Sequence, residues 1–343
     1  MAAGFPSGTN TYVPSYEASG HMIVSYSRNP KDFPINEYVT LTPVKKSTGY
    51  YLKITAEQAA RVLHADLSDH IWHDGNDAPS DNAGAESFEF KPFLTERYEY
   101  GFKLGYKAQD QADWKILSSH SAIQAQQAMT ARTVLALSKL TNTSNYDSSH
   151  TATATALAGG KWDAGAAATP YLKDSLLAAA QVVHKDTLGV VGPKDLVLVL
   201  NPVAARKIAT SEELMDQFKQ APFTKDWVTQ SENRNARWGL PEYIYGFKVV
   251  VEDVVKVTSA KGATKATSYA MSDTIALLVA RPGGLVGTEG SASFSTGHIF
   301  TYEEMTVEQK DDPDSRRTRG RIVDDFGVEI VAPASGFVFT AIT

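Results

Sequence analysis

Hydrophobic and polar residues alternate along two parts of the chain. In the stretch "ERYEYGFKLGY" (96–106), five apolar or aromatic side chains share one face: Tyr98, Tyr100, Phe102, Leu104 and Tyr106. Charged residues occupy the other face, and this alternation predicts a β-strand with two unlike faces. Residues 301–343 alternate in the same way over much of their length, which predicts long antiparallel strands near the C-terminus.

The segment "FPINEYVTLTPVKKSTGYYLKIT" (33–55) has an extended pattern with a turn signal at "KKSTG". It predicts a strand, a turn and a returning strand. A polar loop rich in Gly, Asn and Asp follows at 73–87, flanked by the strand-like "FEFKPF". This region predicts a long hairpin that lacks a core of its own.

The stretch "SSHSAIQAQQAMTARTVLALSKLT" (118–141) predicts a long helix because it is rich in Ala and contains no Gly or Pro. Ser118 or Ser119 can cap its start, and its length would be roughly 35 Å. One stripe of the predicted helix contains Ile123, Gln127, Thr130, Val134 and Leu137. Met129 and Leu140 lie on a neighbouring stripe.

Residues 165–300 carry the pattern of a compact α/β region. A helix is predicted to open at Thr169-Pro170, with a buried stripe that consists of Leu172, Leu176, Ala180 and Val183. "DLVLVLN", "GFKVVVEDVV" and "TIALLVARP" predict buried strands. A further helix is predicted to begin at Asn201-Pro202 and to continue through "SEELMDQF".

Composition narrows the class of protein. With 343 residues, 43% hydrophobic and 21% charged, the chain can bury a sizeable core as an ordinary folded protein. Its formal net charge of -6 argues against a general nucleic-acid binder. The absence of cysteine excludes disulfides and thiolate chemistry. The sequence shows no signal peptide and no apolar run of ~20 residues, so a soluble protein made in a cytoplasm is expected.

The most enzyme-like cluster is "HADLSDHIWHD", in which His70 and His73 could supply two zinc ligands from one helical face. Their spacing matches no zinc motif, since HExxH places its histidines four residues apart. The stretch "RPGGLVGTEG" lacks the Lys-Ser/Thr of a P-loop, and no G-x-S-x-G elbow occurs. We therefore predict no catalytic, cofactor or metal site. The alternative left open is an α/β hydrolase or binding protein with a metal site near His70 and His73.

The stretch "DSRRTRGRIVDDFGVEIVAP" contains Arg316, Arg317, Arg319 and Arg321. In a strand, Arg317, Arg319 and Arg321 would share one face, while Arg316 would point the other way with Thr318, Gly320 and Ile322. Carboxylates lie on both sides in sequence, and they would repel nucleic-acid phosphates. Guanidinium groups suit paired carboxylates at protein interfaces. Intersubunit ion pairs are favoured, with a solvated strand face and nucleic-acid contact as alternatives.

The order of elements resembles the major capsid proteins of tailed bacteriophages, which have the Hong Kong 97-type fold. The most suggestive stretches are "FPINEYVTLTPVKKSTGYYLKI", "SKLTNTSNYDSSHTATATALAGGKWD", "DLVLVLNPVAARKIA" with "YGFKVVVEDVV", and "SRRTRGRIVDDFGVEIVAPASGFVF". The resemblance covers nearly the whole chain and implies an α+β fold. The implied parts are an N-terminal arm (1–32), an extended E-loop region (33–112), a peripheral domain with a long spine helix (113–164 and 301–343) and an axial domain (165–300).

The resemblance also implies a function. Such proteins assemble as hexamers and pentamers into an icosahedral shell around double-stranded phage DNA, so a structural virion protein assembled in the host cytoplasm is expected, rather than an enzyme. Implied partners are further copies of the chain, a portal, a decoration protein and, weakly, the packaged DNA, without membrane contact. The short arm beginning at Met1 favours a separate scaffolding protein. Lys45, Lys46 and Lys91 lie in the E-loop-like region, but covalent crosslinking is not predicted.

The resemblance finally implies a place for the arginines. The Arg-rich strand would face the E-loop or peripheral domain of a neighbouring subunit. Candidate partners there are Glu86, Glu89, Glu96 and Glu99.

Overall fold

The computed structural model describes residues 28–56, 86–112, 116–166, 168–220, 235, 238–260, 262–281 and 295–343. The described strands are β1 (Thr40–Pro43), β2 (Thr48–Ala56), β3 (Glu86–Leu94), β4 (Glu96–Gly105), β5 (Thr151–Thr153), β6 (Leu196–Leu200), β7 (Tyr243–Ile244), β8 (Phe247–Val251), β9 (Val255–Val257), β10 (Thr267–Tyr269), β11 (Ala276–Ala280), β12 (Gly297–Asp312), β13 (Arg317–Ile330) and β14 (Gly336–Thr340). The described helices are α1 (Tyr106–Asp110), α2 (Ile116–Leu140), α3 (Ala154–Ala158), α4 (Tyr171–Asp186), α5 (Pro202–Ala209) and α6 (Glu212–Gln220).

The longest strands form a four-stranded sheet in the order β1-β12-β13-β4. β12 and β13 make an antiparallel pair of 16 and 14 residues, β4 extends it antiparallel, and β1 joins the other edge parallel to β12. One face of this sheet packs against the long helix α2. The predicted alternation in β4 is confirmed, since Phe102 and Leu104 are buried while Glu99 and Lys103 are exposed.

Helix α2 is attached to β13 through a buried ion pair. The Arg132 side chain is 2% exposed and that of Asp324 is 0% exposed. Arg132 Nε donates to Asp324 Oδ2 at 3.0 Å, and Arg132 Nη2 donates to Asp324 Oδ1. The same guanidinium lies 5.3 Å from the ring centroid of Phe326. This two-point contact fixes the position of the helix along the strand.

A second, six-stranded sheet has the order β5-β14-β11-β6-β8-β7. Every residue of β6 and β11 is buried, as their continuous apolar runs predicted. One face packs against α4 and α5, where the predicted stripe of α4 is buried as expected. The other face contributes Val197, Val199 and Leu277 to a cluster with Leu137 of α2 and Ile35. The sheet is therefore covered by apolar side chains on both sides.

Helix α4 has an unusual cap. Pro170 occupies the N-cap position and provides no side-chain hydrogen bond. Instead the buried carboxylate of Glu213, in α6, accepts from the backbone N–H groups of Leu172 at 2.9 Å and Lys173 at 3.0 Å. A negative charge at a helix N-terminus interacts favourably with the helix dipole. The Tyr245 hydroxyl donates to the same carboxylate at 2.7 Å.

Three expectations need correction. β1 was expected to pair with β2, but β1 lies parallel to β12 and β2 pairs with β3. The local pattern did not predict this pairing because both partners lie far away in sequence. The predicted helix from residue 202 to 218 is two helices, α5 and α6, since the Thr210 hydroxyl bonds back to the carbonyls that end α5 and the chain turns to bring Glu213 to α4. The buried face of α2 centres on Met129, Thr133 and Leu137, and Ile123 is 37% exposed.

The C-terminal residues divide between the two sheets. β12 and β13 belong to the four-stranded sheet, and β14 lies between β5 and β11 in the six-stranded sheet. The domain boundaries implied by the resemblance remain a prediction. None of the described helices is both long and apolar enough to cross a membrane.

Replacing Arg132 by Met would leave Asp324 buried without its counter-charge. We expect this change to lower the free energy of unfolding by about 3–5 kcal/mol, measured by chemical denaturation. The double variant Arg132→Met, Asp324→Leu should recover much of the loss, because two apolar side chains of similar volume need no partner. A single variant as stable as the parent chain would contradict the role of this pair.

Glu252, directly after β8, is a second buried acid. Its side chain accepts from the Tyr38 hydroxyl at 2.7 Å, and both residues are 0% exposed. Burial raises the pKa of Glu252 from 4.5 to about 7, and the hydrogen bond from Tyr38 only partly opposes this rise. The folded chain therefore retains a proton at pH values where the unfolded chain has released it.

Because the folded state binds this proton more tightly, Glu252 should make stability fall as pH rises from about 4.5 to about 7. The loss should reach about 3 kcal/mol above that range. Glu252→Gln cannot titrate and keeps an acceptor for Tyr38, so the variant should be the more stable chain at pH 8. Denaturation curves from pH 4 to 8 measure both chains, and parallel pH profiles would contradict this account.

Candidate functional site

The outer face of β13 carries the arginines singled out by the sequence. Arg317, Arg319 and Arg321 point to the solvent-facing side, and Thr318, Gly320 and Ile322 are buried on the other, so the predicted shared face is confirmed. Gly320 is required there, because a Cβ atom would lie 2.2 Å from the Phe102 ring.

Arg316 departs from its predicted position. It lies in the turn before β13 with a φ of 47°, and its backbone N–H donates to the Pro313 carbonyl at 3.2 Å. It therefore does not share the buried face of Thr318. The Asp312 carboxylate accepts from the Ser315 N–H at 3.4 Å and supports this turn.

Asp312 joins two of the arginines. Its Oδ2 atom accepts from Arg317 Nε at 3.2 Å and from Arg319 Nη2 at 2.5 Å. Partial desolvation raises the pKa of Asp312, but hydrogen bonds from Arg319, Ser315 and Arg317 outweigh it and lower the pKa to about 2. This carboxylate is consequently charged throughout the physiological range.

Arg321 bridges three strands. It donates through Nε to Glu308 on β12 at 2.5 Å and through Nη1 to Glu99 on β4 at 2.9 Å. Hydrogen bonding and charge attraction from Glu308, then attraction from Glu99, raise the pKa of Arg321. Arginine and carboxylate groups of the same chain thus pair on this face, whereas the sequence favoured pairs between subunits.

The four glutamates named as intersubunit partners have different positions. Glu99 is bound to Arg321 of the same chain, and Glu96 accepts from the Tyr98 hydroxyl at 2.8 Å. The side chains of Glu86 and Glu89 lie outside the described part of the structure, although their backbone belongs to β3. Pairing between subunits stays a prediction.

Two further cations belong to this site and were not predicted from the sequence. Lys103 of β4 and Lys310 of β12 stand directly opposite Arg319 in the two neighbouring strands. The alternation in β4 had placed Lys103 on a polar face. The position of Lys310 depends on the register of β12 and β13, which no local pattern reveals.

The β2–β3 hairpin forms a separate two-stranded ribbon. Its inner side packs on the four-stranded sheet: the ring centroids of Phe93 and Phe300 are 4.6 Å apart. Its outer side exposes Tyr50 (72%), Phe90 (67%) and Leu94 (54%). Leu94 pairs with Thr48 and Tyr50 pairs with Pro92, two positions along the ribbon, so Tyr50 and Leu94 lie on the same face. The outer side is therefore an apolar surface facing solvent.

The candidate metal ligands His70 and His73 lie outside the described residues. Among the residues that the structure describes, no group of three or more His, Cys, Asp or Glu side chains could hold a metal ion. His150, in the described part, has a structural setting: Nδ1 contacts the Gly336 carbonyl at 2.8 Å, and Nε2 contacts Asp186 at 2.9 Å.

No protein family matches the sequence, and no curated protein matches it. Solved structures do match. The mature capsid of bacteriophage PhiM1 is 9% identical with a TM-score of 0.53, over 94% of this chain and 88% of that chain. The capsid of cyanophage P-SCSP1u is 11% identical with a TM-score of 0.53, over 94% and 91%. A structure from Mycobacterium phage Bobi is 11% identical with a TM-score of 0.55, over 94% and 93%.

These similarities extend over nearly the whole of each chain, so they concern the complete fold. The chain has the α+β fold of tailed-phage capsid proteins, the Hong Kong 97-type fold, and the predicted fold class is confirmed.

Asp312→Asn should weaken the attachment of Arg317 and Arg319. Because the folded pKa of Asp312 is lowered, its stabilising effect should be present above pH 3.8 and lost as pH falls to about 2. We expect a small decrease in melting temperature at pH 6 and low salt, and little difference at pH 2 or in 1 M salt. Thermal melts of both chains measure this, with Asp314→Asn as the control. A salt-independent difference would argue against an electrostatic role.

Proposed function

We propose that this chain is a major capsid protein of a tailed phage. It assembles as hexamers and pentamers into the icosahedral shell that encloses the double-stranded DNA genome, and its role is structural rather than enzymatic. The observation that carries this proposal is the fold itself, which matches phage capsid structures over 94% of this chain. Its location is the virion, after assembly in the host cytoplasm.

The apolar outer side of the β2–β3 hairpin supports self-assembly. Tyr50, Phe90 and Leu94 are exposed in a single chain, where burial of large apolar side chains would be favourable. A narrow two-stranded ribbon is marginally stable alone and gains from a second surface. In the proposed shell, this E-loop side lies against a neighbouring copy of the chain.

The arginine strand is the second proposed contact between subunits, with Glu86, Glu89, Glu96 and Glu99 of a neighbour as partners. Within one chain, Arg317, Arg319 and Arg321 are already paired. Arg316 at the exposed tip of the β12–β13 hairpin has no ion pair with any described residue, so it is the arginine best placed for a neighbour. Further proposed partners are a scaffolding protein, a portal, a decoration protein and the packaged DNA.

Electron microscopy and sedimentation velocity of the purified chain test the proposal. We expect closed shells, or rings of five and six subunits, sedimenting far above the 37.2 kDa monomer. The double variant Tyr50→Ser, Phe90→Ser should fold normally by circular dichroism but assemble poorly, because it removes the apolar contact. Tyr243→Ser removes a side chain that is 54% exposed elsewhere and serves as the matched control.

A chain that stays monomeric or dimeric at all salt and protein concentrations, also when coexpressed with a scaffolding protein, would overturn the capsid function. Normal shells from the double variant would instead reject only the role of the hairpin. Arg316→Glu tests the arginine contact in the same assay, and unimpaired assembly would reject that contact.

A further inference from the structure

The register of three strands aligns Lys310, Arg319 and Lys103 in one row across the four-stranded sheet. Lys310 is the cross-strand partner of Arg319 on one side, and Lys103 is its partner on the other. Directly opposed residues share a face, and neighbouring strands are about 4.8 Å apart. Like charges in this arrangement repel one another, so the row is unfavourable without an anion.

The charges around the row do not compensate it. On this face, residues 99–105, 308–312 and 317–321 contribute five cationic side chains but three carboxylates. Asp312 binds Arg317 and Arg319, while Glu308 and Glu99 bind Arg321. Neither lysine forms an ion pair with any residue in the described ranges, so two positive charges remain in excess beside Arg319.

The shape of the surface leaves room for a ligand. Lys103, Lys310 and Arg319 line an open depression of about 1150 Å³. The residues next to Lys103 on the same face are Gly101 and Gly105, which carry no side chain. A Cβ on Gly101 would meet its nearest atom only at 3.7 Å, and one on Gly105 only at 4.0 Å. Oxygen atoms could therefore approach the lysine from both sides along the strand.

We propose that Lys103, Arg319 and Lys310 form a binding site for one phosphate group. Two excess positive charges match a phosphate, with a charge of about -1.5 to -2, better than a single carboxylate. Its oxygen atoms can accept from two ammonium groups and one guanidinium at once. The neighbouring carboxylates do not prevent this, because arginines already neutralise them. The site requires only one copy of the chain, so its test does not depend on assembly.

Calorimetric titration of the full chain with inorganic phosphate, at constant ionic strength in chloride, tests the site. The double variant Lys103→Gln, Lys310→Gln should bind phosphate about tenfold or more weakly, because it loses two charge-assisted contacts. Lys161→Gln, which removes an exposed charge outside this sheet, should bind like the parent chain. Melting curves of all chains establish that they fold.

A short DNA oligonucleotide in the same titration identifies the source of the phosphate. Lysine-dependent binding of the oligonucleotide supports a nucleic-acid phosphate, whereas lysine-dependent binding of inorganic phosphate alone supports a free phosphate ion. Equal affinity of the parent chain and the double variant for both probes would overturn the proposal. Acetate binding as tightly as phosphate would also overturn it, since the site would then favour a carboxylate such as one from a second copy.

Discussion

The register of β13 is the constraint that decides which side chains of the four-stranded sheet are buried against α2 and which form its charged outer face. Its even-numbered positions face α2 and place Asp324 against Arg132 inside the protein. In the same register, Arg317, Arg319 and Arg321 lie on the opposite, solvent-facing side of the strand. A slip of one residue would expose the apolar face, bury three guanidinium groups and separate the buried ion pair. The ion pair thus selects the register that displays the arginines.

The hydrophobic core anchors the two long projections of the chain, which are the β12–β13 pair and the β2–β3 hairpin. The core lies on both sides of the six-stranded sheet and between that sheet and α2, where Val197, Val199 and Leu277 contact the cluster around Leu137. The β12–β13 pair starts in this core and extends beyond it; the outer half of β12 is largely exposed, while β13 alternates between buried and exposed residues there. The hairpin β2–β3 contacts the four-stranded sheet through stacked rings such as Phe93 with Phe300. Surfaces of this kind remain available for other copies of the chain or for ligands.

The outer face of the four-stranded sheet contains two kinds of cross-strand row, which differ in their charge. Arginine pairs with carboxylate in the rows that contain Arg317 and Arg321; the pair of Arg317 with Asp312 is half-buried, and that of Arg321 with Glu308 is exposed and therefore sensitive to salt. The row between them contains Arg319 with two lysines and has an excess of positive charge. An acidic chain can in this way present a local cationic site that its net charge of -6 conceals.

Local sequence patterns predicted the types of the longer elements and, in some strands, which side chains share a face. Alternation identified β4 and the shared face of Arg317, Arg319 and Arg321, and a continuous apolar run identified β6, because side-chain direction within a strand is a local property. Strand pairing, in contrast, depends on the folded arrangement of the whole chain. This arrangement joined β1 to β12 rather than β2, brought Glu213 to the start of α4, and set Lys310 beside Arg319. These contacts link residues that are far apart in the chain or whose alignment depends on a long register, and local periodicity carries no information about either.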